Sequence, residues 1–182
     1  MSDQQTRKEV VQRGLWFEEY EVGTVYLHRP GRTMTEADNV LFTTLTMNTQ
    51  SLHLDAAWSA EQPGFGGQRL MNSMHTLSTL VGLSVAQLTL GTIVANLGFS
   101  EVSFPKPVLH GDTLYAETVC VDKRESKSRP GEGIVTLEHI GRNQHGDIVA
   151  KAVRKTLVRK DPEGLSGADA GSGSVSVAGE SS

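Results

Sequence analysis

The chain has 182 residues, of which 37% are hydrophobic and 21% are charged, and its formal net charge at pH 7 is -4. This composition is typical of one folded domain with a core of its own. Without a basic excess, sequence-independent binding to nucleic acid is not expected, and a single cysteine, Cys120, excludes an intrachain disulfide.

The two ends of the chain differ in composition from its middle. Residues 1–14 are polar and predict a flexible arm, and residues 161–182, rich in Gly, Ser and Ala, predict a disordered tail. The folded domain is therefore expected over residues 15–160. The chain opens without a secretory pattern and contains no apolar run near the ~18 residues of a membrane span, so we expect a cytoplasmic protein.

The first part of the domain predicts a strand and then a helix. A short strand is expected over residues 24–32. Thr35 is a good helix N-cap and Asp38 follows three positions later, an acidic variant of the capping box. Apolar residues at helical spacing continue from there to Leu45. Residues 55–60 are expected to add one or two helical turns.

The longest helix is predicted over residues 69–90. Its apolar residues surround much of the helix, so we expect neighbouring elements to cover it rather than leave it on a surface. The apolar positions include Leu70, Met74, Leu77, Leu80, Val81, Leu83 and Leu88.

Strands dominate the rest of the chain. They are predicted over residues 97–104, 113–122, 133–142 and 148–158, and Gly146 lies in the turn between the last two. Cys120, inside one of them, is interpreted as a small buried hydrophobe. Long strands joined by short turns favour an antiparallel sheet of about five strands, curled around the long helix, in an α+β fold.

Four segments, in this order, resemble the MaoC-like (R)-specific enoyl-CoA hydratase/dehydratase family, which has the hotdog fold. They are WFEEYEVGTVY (16–26), RTMTEADNVLFTTLT (32–46), FPKPVLHGDTLYAE (104–117) and NQHGDIVAKA (143–152). The resemblance implies a hotdog domain over residues 15–160, a CoA thioester as substrate, and a homodimer or larger homo-oligomer. No metal is expected, because no His, Cys or Asp spacing is typical of a closed metal site. No separate cofactor is expected, because CoA is part of the substrate.

The polar stretch MNTQSLHLDAAW (47–58) matches the place of the family's D-x-N-P-x-H motif. The histidine is present as His53, whereas the catalytic Asp of the motif falls on Asn48, its Asn on Gln50 and its Pro on Ser51. The resemblance implies that His53 is the general acid/base. Since an amide cannot take up a proton, Asn48 is expected either to orient the water or the imidazole, or to be a turn residue.

A second part of the predicted site lies at the start of the long helix. The family has a His-Gly pair there, and this chain has Asn72 and Ser73. We expect the backbone N–H of Ser73 to stabilise the thioester oxyanion. Arg69 is predicted to be either a surface cation or a clamp for a substrate carboxylate or CoA phosphate, and Lys106 a contact to CoA phosphates. These polar groups, with Gln50, favour a short, polar acyl group.

The segment FGGQRLMNSM (65–74) resembles MaoC-like proteins that act on branched C5-dicarboxylyl-CoA esters, such as mesaconyl- or itaconyl-CoA hydratases. The predicted reaction is therefore addition of water to a short enoyl-CoA thioester, or its reverse, with another carboxylate of the protein or the substrate replacing the missing Asp. Two alternatives stay open. One is a hotdog acyl-CoA thioesterase, and the other is an acyl-CoA-binding protein without catalysis.

Overall fold

The computed structural model describes residues 9–64 and 66–164. Most of the predicted arm and tail, residues 1–8 and 165–182, lies outside the described residues. Within the described part of the predicted arm, the N–H of Gly14 donates to the carbonyl oxygen of Leu90 at 2.7 Å. That end of the predicted arm is therefore attached to the domain.

In the described ranges, helices α1–α4 and strands β1–β5 follow a single turn of 3-10 helix at Phe17–Glu19. In chain order they are β1 (Val25–Thr33), α1 (Glu36–Leu45), α2 (Ser51–Leu54), α3 (Ala56–Ala60), α4 (Ser73–Leu88), β2 (Ile93–Ser103), β3 (Thr113–Glu125), β4 (Glu132–Arg142) and β5 (Ile148–Arg159). Every predicted strand is present. The four-residue helix α2 was not predicted.

The five strands form one antiparallel sheet in the order β1-β3-β4-β5-β2, which confirms the predicted sheet. In the turn between β4 and β5, Gly146 has φ 84°, in the left-handed region that favours glycine. The side chain of Asn143 closes this turn, because its Oδ1 accepts the N–H groups of His145 and Asp147, each at 3.0 Å.

Helix α1 begins with the predicted capping box. Thr35 Oγ1 accepts the N–H of Asp38 at 3.2 Å, and Asp38 Oδ2 accepts the N–H of Thr35 at 3.0 Å. These bonds, with Arg32, lower the pKa of Asp38 to about 2. The inward side of α1 is polar. Asn39 and Thr43 are fully buried, whereas Leu41 and Leu45 are 62% and 74% exposed.

Helix α4 begins four residues later than predicted. Residues 69–72 precede it in extended form, where Leu70 forms a β-bridge with Leu109 and Asn72 is the N-cap. The sheet covers one side of the helix and buries Leu77, Leu80 and Leu88, but Met74 is 52% exposed. The predicted apolar positions of α4 are therefore buried or half-buried, except Met74 near its N-terminal end.

The apolar core has two clusters along α4. One surrounds Leu80 and contains Met34, Met71, Val108, Leu114, Ala116, Val149 and Ala150. The other surrounds Leu88 and contains Phe17, Tyr20, Cys120, Val135, Leu137 and Val158. Cys120 is a fully buried free thiol, as predicted, and burial raises its pKa.

A chain of hydrogen-bonded polar side chains runs from the exposed Gln87 of α4 to three buried residues of the sheet. Gln87 Oε1 lies 2.8 Å from His28 Nδ1, His28 Nε2 lies 2.8 Å from Thr118 Oγ1, and Thr118 Oγ1 lies 2.9 Å from His139 Nδ1. Burial lowers the pKa of both histidines. That of His139 falls to about 3, with further contributions from Arg154 and His28. Both rings are therefore neutral at pH 7.

Both ends of the described chain lie near the C-terminal end of α4. The N–H of Leu15 donates to the carbonyl oxygen of Leu88 at 3.0 Å, and the N–H of Asp161 donates to Glu18 Oε2 at 3.0 Å. At the opposite, N-terminal end of α4 lies the segment that joins α1 to α4. Within the described ranges, no helix is long and apolar enough to cross a membrane.

Candidate active site

The segment between α1 and α4 opens with a turn built on Asn48. Its N–H donates to the carbonyl oxygen of Thr43 at 3.0 Å, and its Oδ1 accepts the N–H of Gln50 at 3.1 Å. This side-chain turn leads directly into α2. The backbone carbonyl of Gln50 then accepts the N–H of His53 at 3.0 Å, and the Gln50 side chain is exposed.

His53 lies in α2 with one ring nitrogen held by backbone. His53 Nδ1 is 3.0 Å from the carbonyl oxygen of Leu70. A carbonyl oxygen only accepts, so Nδ1 carries the hydrogen and the neutral ring has its lone pair on Nε2. Leu70 is itself fixed, because its N–H donates to the carbonyl oxygen of Leu52 at 3.1 Å. The local backbone thus sets the tautomer that a general base requires.

The start of α4 presents backbone N–H groups. Asn72 is 2% exposed, and its Oδ1 accepts the N–H of Met74 at 3.0 Å. Ser73 is the first helical residue, and no acceptor for its N–H is found within residues 9–64 and 66–164. The positive end of the helix dipole lies at this same turn. Ser73 therefore offers a free donor at a place that favours negative charge.

A cavity of about 320 Å³ brings His53 and Ser73 together. The rest of its wall is mostly apolar and consists of Leu52, Leu70, Met71, Thr76, Phe104, Lys106, Pro107, Val108 and Val149. Asn48 and Asn72 line a different cavity, of about 240 Å³, with Phe42, Thr46 and Met74. The predicted base and the predicted oxyanion donor thus share one space, and Asn48 is not part of its wall.

The two predicted cations differ in their surroundings. Arg69 is 12% exposed and ion-paired with Glu36, and its Nη1 donates to the carbonyl oxygen of Leu54 at 3.3 Å. It ties the start of α1 to the end of α2. Lys106 lies on the wall of the cavity with His53 and is half exposed, and its Nζ is 2.6 Å from Asp147 Oδ1. This hydrogen bond lowers the pKa of Asp147.

Asn39 was missed in the sequence. Its Nδ2 lies 3.0 Å from the carbonyl oxygen of Leu70, 3.3 Å from that of His53 and 3.2 Å from His110 Nε2. Its Oδ1 accepts the N–H of Asn72 at 2.8 Å. The sequence signal that could have found it is the pair Asn39 and Thr43, two polar residues four positions apart and therefore on one face of α1. The apolar residues of α1 favoured a different face as the buried one.

Most of the folded part of the chain matches one protein family. Residues 18–143 match the family described as MaoC like domain. The chain belongs to the MaoC-like domain family. The match includes α2, α4 and the loop that carries Lys106, so the cavity wall with His53 and Ser73 lies on family-matched chain except for Val149 of β5.

Two curated relatives are similar over most of this MaoC-like chain. A mesaconyl-CoA hydratase of Cereibacter sphaeroides is 32% identical over 149 residues, which is 81% of this chain and 42% of the relative. A β-methylmalyl-CoA dehydratase of Chloroflexus aurantiacus is 30% identical over 151 residues, 82% of this chain and 42% of the relative. The chain therefore spans less than half the length of either relative.

A solved structure supports the fold. A Mycobacterium tuberculosis protein described as having a double hotdog fold aligns with a TM-score of 0.70 and 22% identity. The alignment covers 82% of this chain and 46% of that one. At this level of identity the likeness concerns the fold alone. The predicted hotdog domain, an antiparallel sheet around α4, is confirmed.

Proposed function

We propose that this MaoC-like chain catalyses the reversible addition of water to the C=C bond of a 2-enoyl-CoA thioester. The observation that carries the proposal is the bond between His53 Nδ1 and the Leu70 carbonyl oxygen, in a cavity that Ser73 also lines. It leaves Nε2 as the proton acceptor. His53 is then the general acid/base and the Ser73 N–H the oxyanion donor.

The steps follow from these two groups. His53 Nε2 takes a proton from water while the water oxygen bonds to the β-carbon. The π electrons move toward the thioester oxygen, which the Ser73 N–H and the positive end of α4 stabilise. The imidazolium then returns a proton to the α-carbon, and the C=O bond of the thioester forms again. Dehydration is the same sequence reversed. The proposed steps use only these groups of the protein, and CoA belongs to the substrate.

We propose a short, branched dicarboxylic acyl group as the substrate class. Supporting this, the curated relatives are named for mesaconyl-CoA and β-methylmalyl-CoA. The cavity is small and mostly apolar, and Lys106 on its wall is a cation that is ion-paired with Asp147. An ammonium group there suits an anionic part of the substrate. A substrate carboxylate would also supply the negative charge that Asn48 lacks.

The experiment follows enoyl-thioester absorbance after mixing purified protein with mesaconyl-, itaconyl- or crotonyl-CoA. We expect loss of absorbance mainly with a dicarboxylyl ester, and a reduction of about 10³-fold in His53→Ala, since general acid/base groups contribute 10²–10⁴. His145→Ala, in the exposed β4–β5 turn, is the matched control and should turn over normally.

Each rival function predicts a different result. A thioesterase would release free CoA thiol, which a thiol-reactive dye detects, and the C=C absorbance would fall only as the thioester is cleaved. A binding protein without catalysis would retain acyl-CoA tightly and change neither signal. Unchanged turnover in His53→Ala would remove His53 from the mechanism.

We also propose that the chain forms a homodimer through the edge of its sheet. Within residues 9–64 and 66–164, β2 is hydrogen-bonded on one side only, to β5. Its exposed residues include Leu97, Phe99 and Val102, which are 50%, 40% and 40% exposed. A second copy would take the place of the second hotdog unit in the longer double-hotdog neighbour. Sedimentation should give the mass of a dimer, and a monomer that remains fully active would contradict this proposal.

A further inference from the structure

Asn39 is hydrogen-bonded to both parts of the candidate site, the segment that holds His53 and the start of α4 at Ser73. It lies in the first turn of α1, is fully buried and is not on the wall of the cavity. Its partners are main-chain groups and one ring nitrogen, between 14 and 71 positions away in the sequence. A buried amide with this many partners is expensive to replace, because each partner would be left unsatisfied.

One side of the Asn39 amide acts on the base. Asn39 Nδ2 donates to the carbonyl oxygen of Leu70 at 3.0 Å, and the same oxygen accepts from His53 Nδ1 at 3.0 Å. Nδ2 also lies 3.3 Å from the carbonyl oxygen of His53 itself. The orientation of the imidazole therefore depends on a carbonyl that Asn39 holds.

The other side of the amide acts on the oxyanion donor. Asn39 Oδ1 accepts the N–H of Asn72 at 2.8 Å, and Asn72 is the N-cap directly before Ser73. This bond fixes the backbone from which the Ser73 N–H projects. A single rigid amide thus spans the distance between the base and the start of α4.

His110 adds a third fixed point. Its Nε2 lies 3.2 Å from Asn39 Nδ2, and burial together with the Arg69 charge lowers the pKa of His110. The neutral ring can accept at Nε2, which agrees with an amide whose Nδ2 faces three acceptors. This arrangement assigns the orientation of the Asn39 side chain without ambiguity, Nδ2 toward Leu70 and Oδ1 toward Asn72.

We infer that Asn39 is a positioning residue that sets the geometry between His53 and the Ser73 N–H. The inference rests on the proposed hydratase function. A displacement of about 1 Å of a reacting group can cost about 10²-fold in rate. Loss of Asn39 should therefore lower kcat with little effect on KM, because substrate binding to the cavity wall is retained while the transition-state contacts are misplaced.

The test compares three variants on the best enoyl-CoA substrate. Asn39→Leu, of similar size but unable to hydrogen-bond, should lower kcat about 100-fold and change KM less than threefold. Thr43→Val is the matched control, since Thr43 is equally buried one turn later in α1 and its Oγ1 has no partner among the described residues. It should retain kcat within threefold.

Asn39→Asp supplies a readout that a purely structural role would not move, and it keeps the shape of the side chain if Asn39→Leu does not fold. An ionised carboxylate would face the carbonyl oxygens of Leu70 and His53, whereas the protonated acid can donate one hydrogen bond. Burial raises the pKa of such an acid. The ratio of its kcat to that of the wild type should therefore rise as pH falls from 8 to 6.

A second measurement does not depend on turnover. Nitrogen-15 NMR of labelled histidine should show His53 as the Nδ1–H tautomer in the wild type and a mixture in the Asn39 variants. Wild-type kcat in Asn39→Asp at every pH, or a change in KM alone, would overturn the inference. An inactive wild type with the tautomer shift present would reject the proposed reaction and leave the positioning role of Asn39 standing.

Discussion

His53 and His139 are two imidazole rings with similar hydrogen bonds in different surroundings. Each has Nδ1 in a hydrogen bond, and neither has a hydrogen bond to Nε2 in the described part of the chain. The ring of His53 lies on the wall of a 320 Å³ cavity, whereas His139 is fully buried. An imidazole with a free Nε2 is a useful base only where water and substrate can reach it.

The partners of the two rings also differ. The Leu70 carbonyl oxygen can only accept, so it sets the His53 tautomer by itself. The Thr118 hydroxyl both donates and accepts, so the His139 tautomer depends on the members beyond it. Gln87 Oε1 accepts from His28 Nδ1, Thr118 then donates to His28 Nε2, and His139 Nδ1 must donate to Thr118. The tautomer of His53 is thus fixed by one neighbouring carbonyl group, whereas the tautomer of His139 is fixed by the whole hydrogen-bonded chain.

Among the changes that separate the surroundings of these two rings, the largest effect should come from removing the proposed oxyanion donor, the Ser73 N–H. Ser73→Pro deletes that backbone N–H at the first position of a helix, where proline is well tolerated. Asn72 is already extended, with φ -60° and ψ 124°, as a residue before proline requires. We expect kcat to fall 10²–10³-fold, the usual cost of one oxyanion-hole donor, in a steady-state assay.

Ser73→Ala is the matched control for this change, because it removes the hydroxyl and keeps the N–H. It should lose less than fivefold, an effect small enough to separate backbone from side chain. Equal losses in the two variants, or an unchanged Ser73→Pro, would show that the oxyanion is held elsewhere.

The His139 side of the comparison should appear in stability rather than turnover. The pKa of His139 is about 3 in the folded chain and about 6.5 when unfolded, so between these values the unfolded state binds more protons. The free energy of unfolding should therefore fall as pH drops below 6.5, by on the order of 3 kcal/mol at pH 4 from this ring. Urea unfolding across that range measures the slope.

His139→Leu cannot be protonated and should flatten this dependence, while the contributions of the hydrogen-bonded and ion-paired carboxyl groups, such as Asp38, remain. His28, whose pKa is lowered in the same direction, should leave a residual slope. If the wild type and His139→Leu lose stability in parallel from pH 6.5 to 4, the buried neutral state of His139 does not cause the fall in the free energy of unfolding at acid pH.

The smallest effect should follow a change at the entrance to α2. Asn48→Ala removes the oxygen that accepts the Gln50 N–H and loosens the turn that precedes His53, with an expected loss of about tenfold in kcat/KM. Asn48→Asp keeps that acceptor and should retain more activity than Asn48→Ala. A loss in both variants as large as in His53→Ala would instead give Asn48 a direct part in the chemistry.

Local patterns predicted those elements whose causes are local. The capping box at Thr35, the turn at Gly146 and the alternating strands depend on neighbours within a few positions, and the structure has each of them. The beginning of α4 was predicted too early, since residues 69–72 pair with Leu109 and Val108 far along the chain. The sequence of residues 69–72 alone contains no pattern that predicts this pairing.

The site was only partly predictable for the same reason. His53 and Ser73 could be named from a family resemblance, and the structure puts them in one cavity. Asn39 could not be named from that resemblance, because its partners are distant in the sequence and, apart from His110, are main-chain groups that any residue type would offer. Helix α2 has only four residues, too few to show a helical pattern of apolar positions. It is held by a hydrogen bond from the Leu70 N–H to the Leu52 carbonyl oxygen.

The position of the chain ends has a practical consequence. Leu15 and Asp161 are held near the C-terminal end of α4, and His53 and Ser73 lie near its N-terminal end. A helix of 16 residues is roughly 24 Å long. A fluorescent label attached beside Leu15 or Asp161 would therefore be about one helix length from the cavity, and we expect it to leave the proposed activity unchanged.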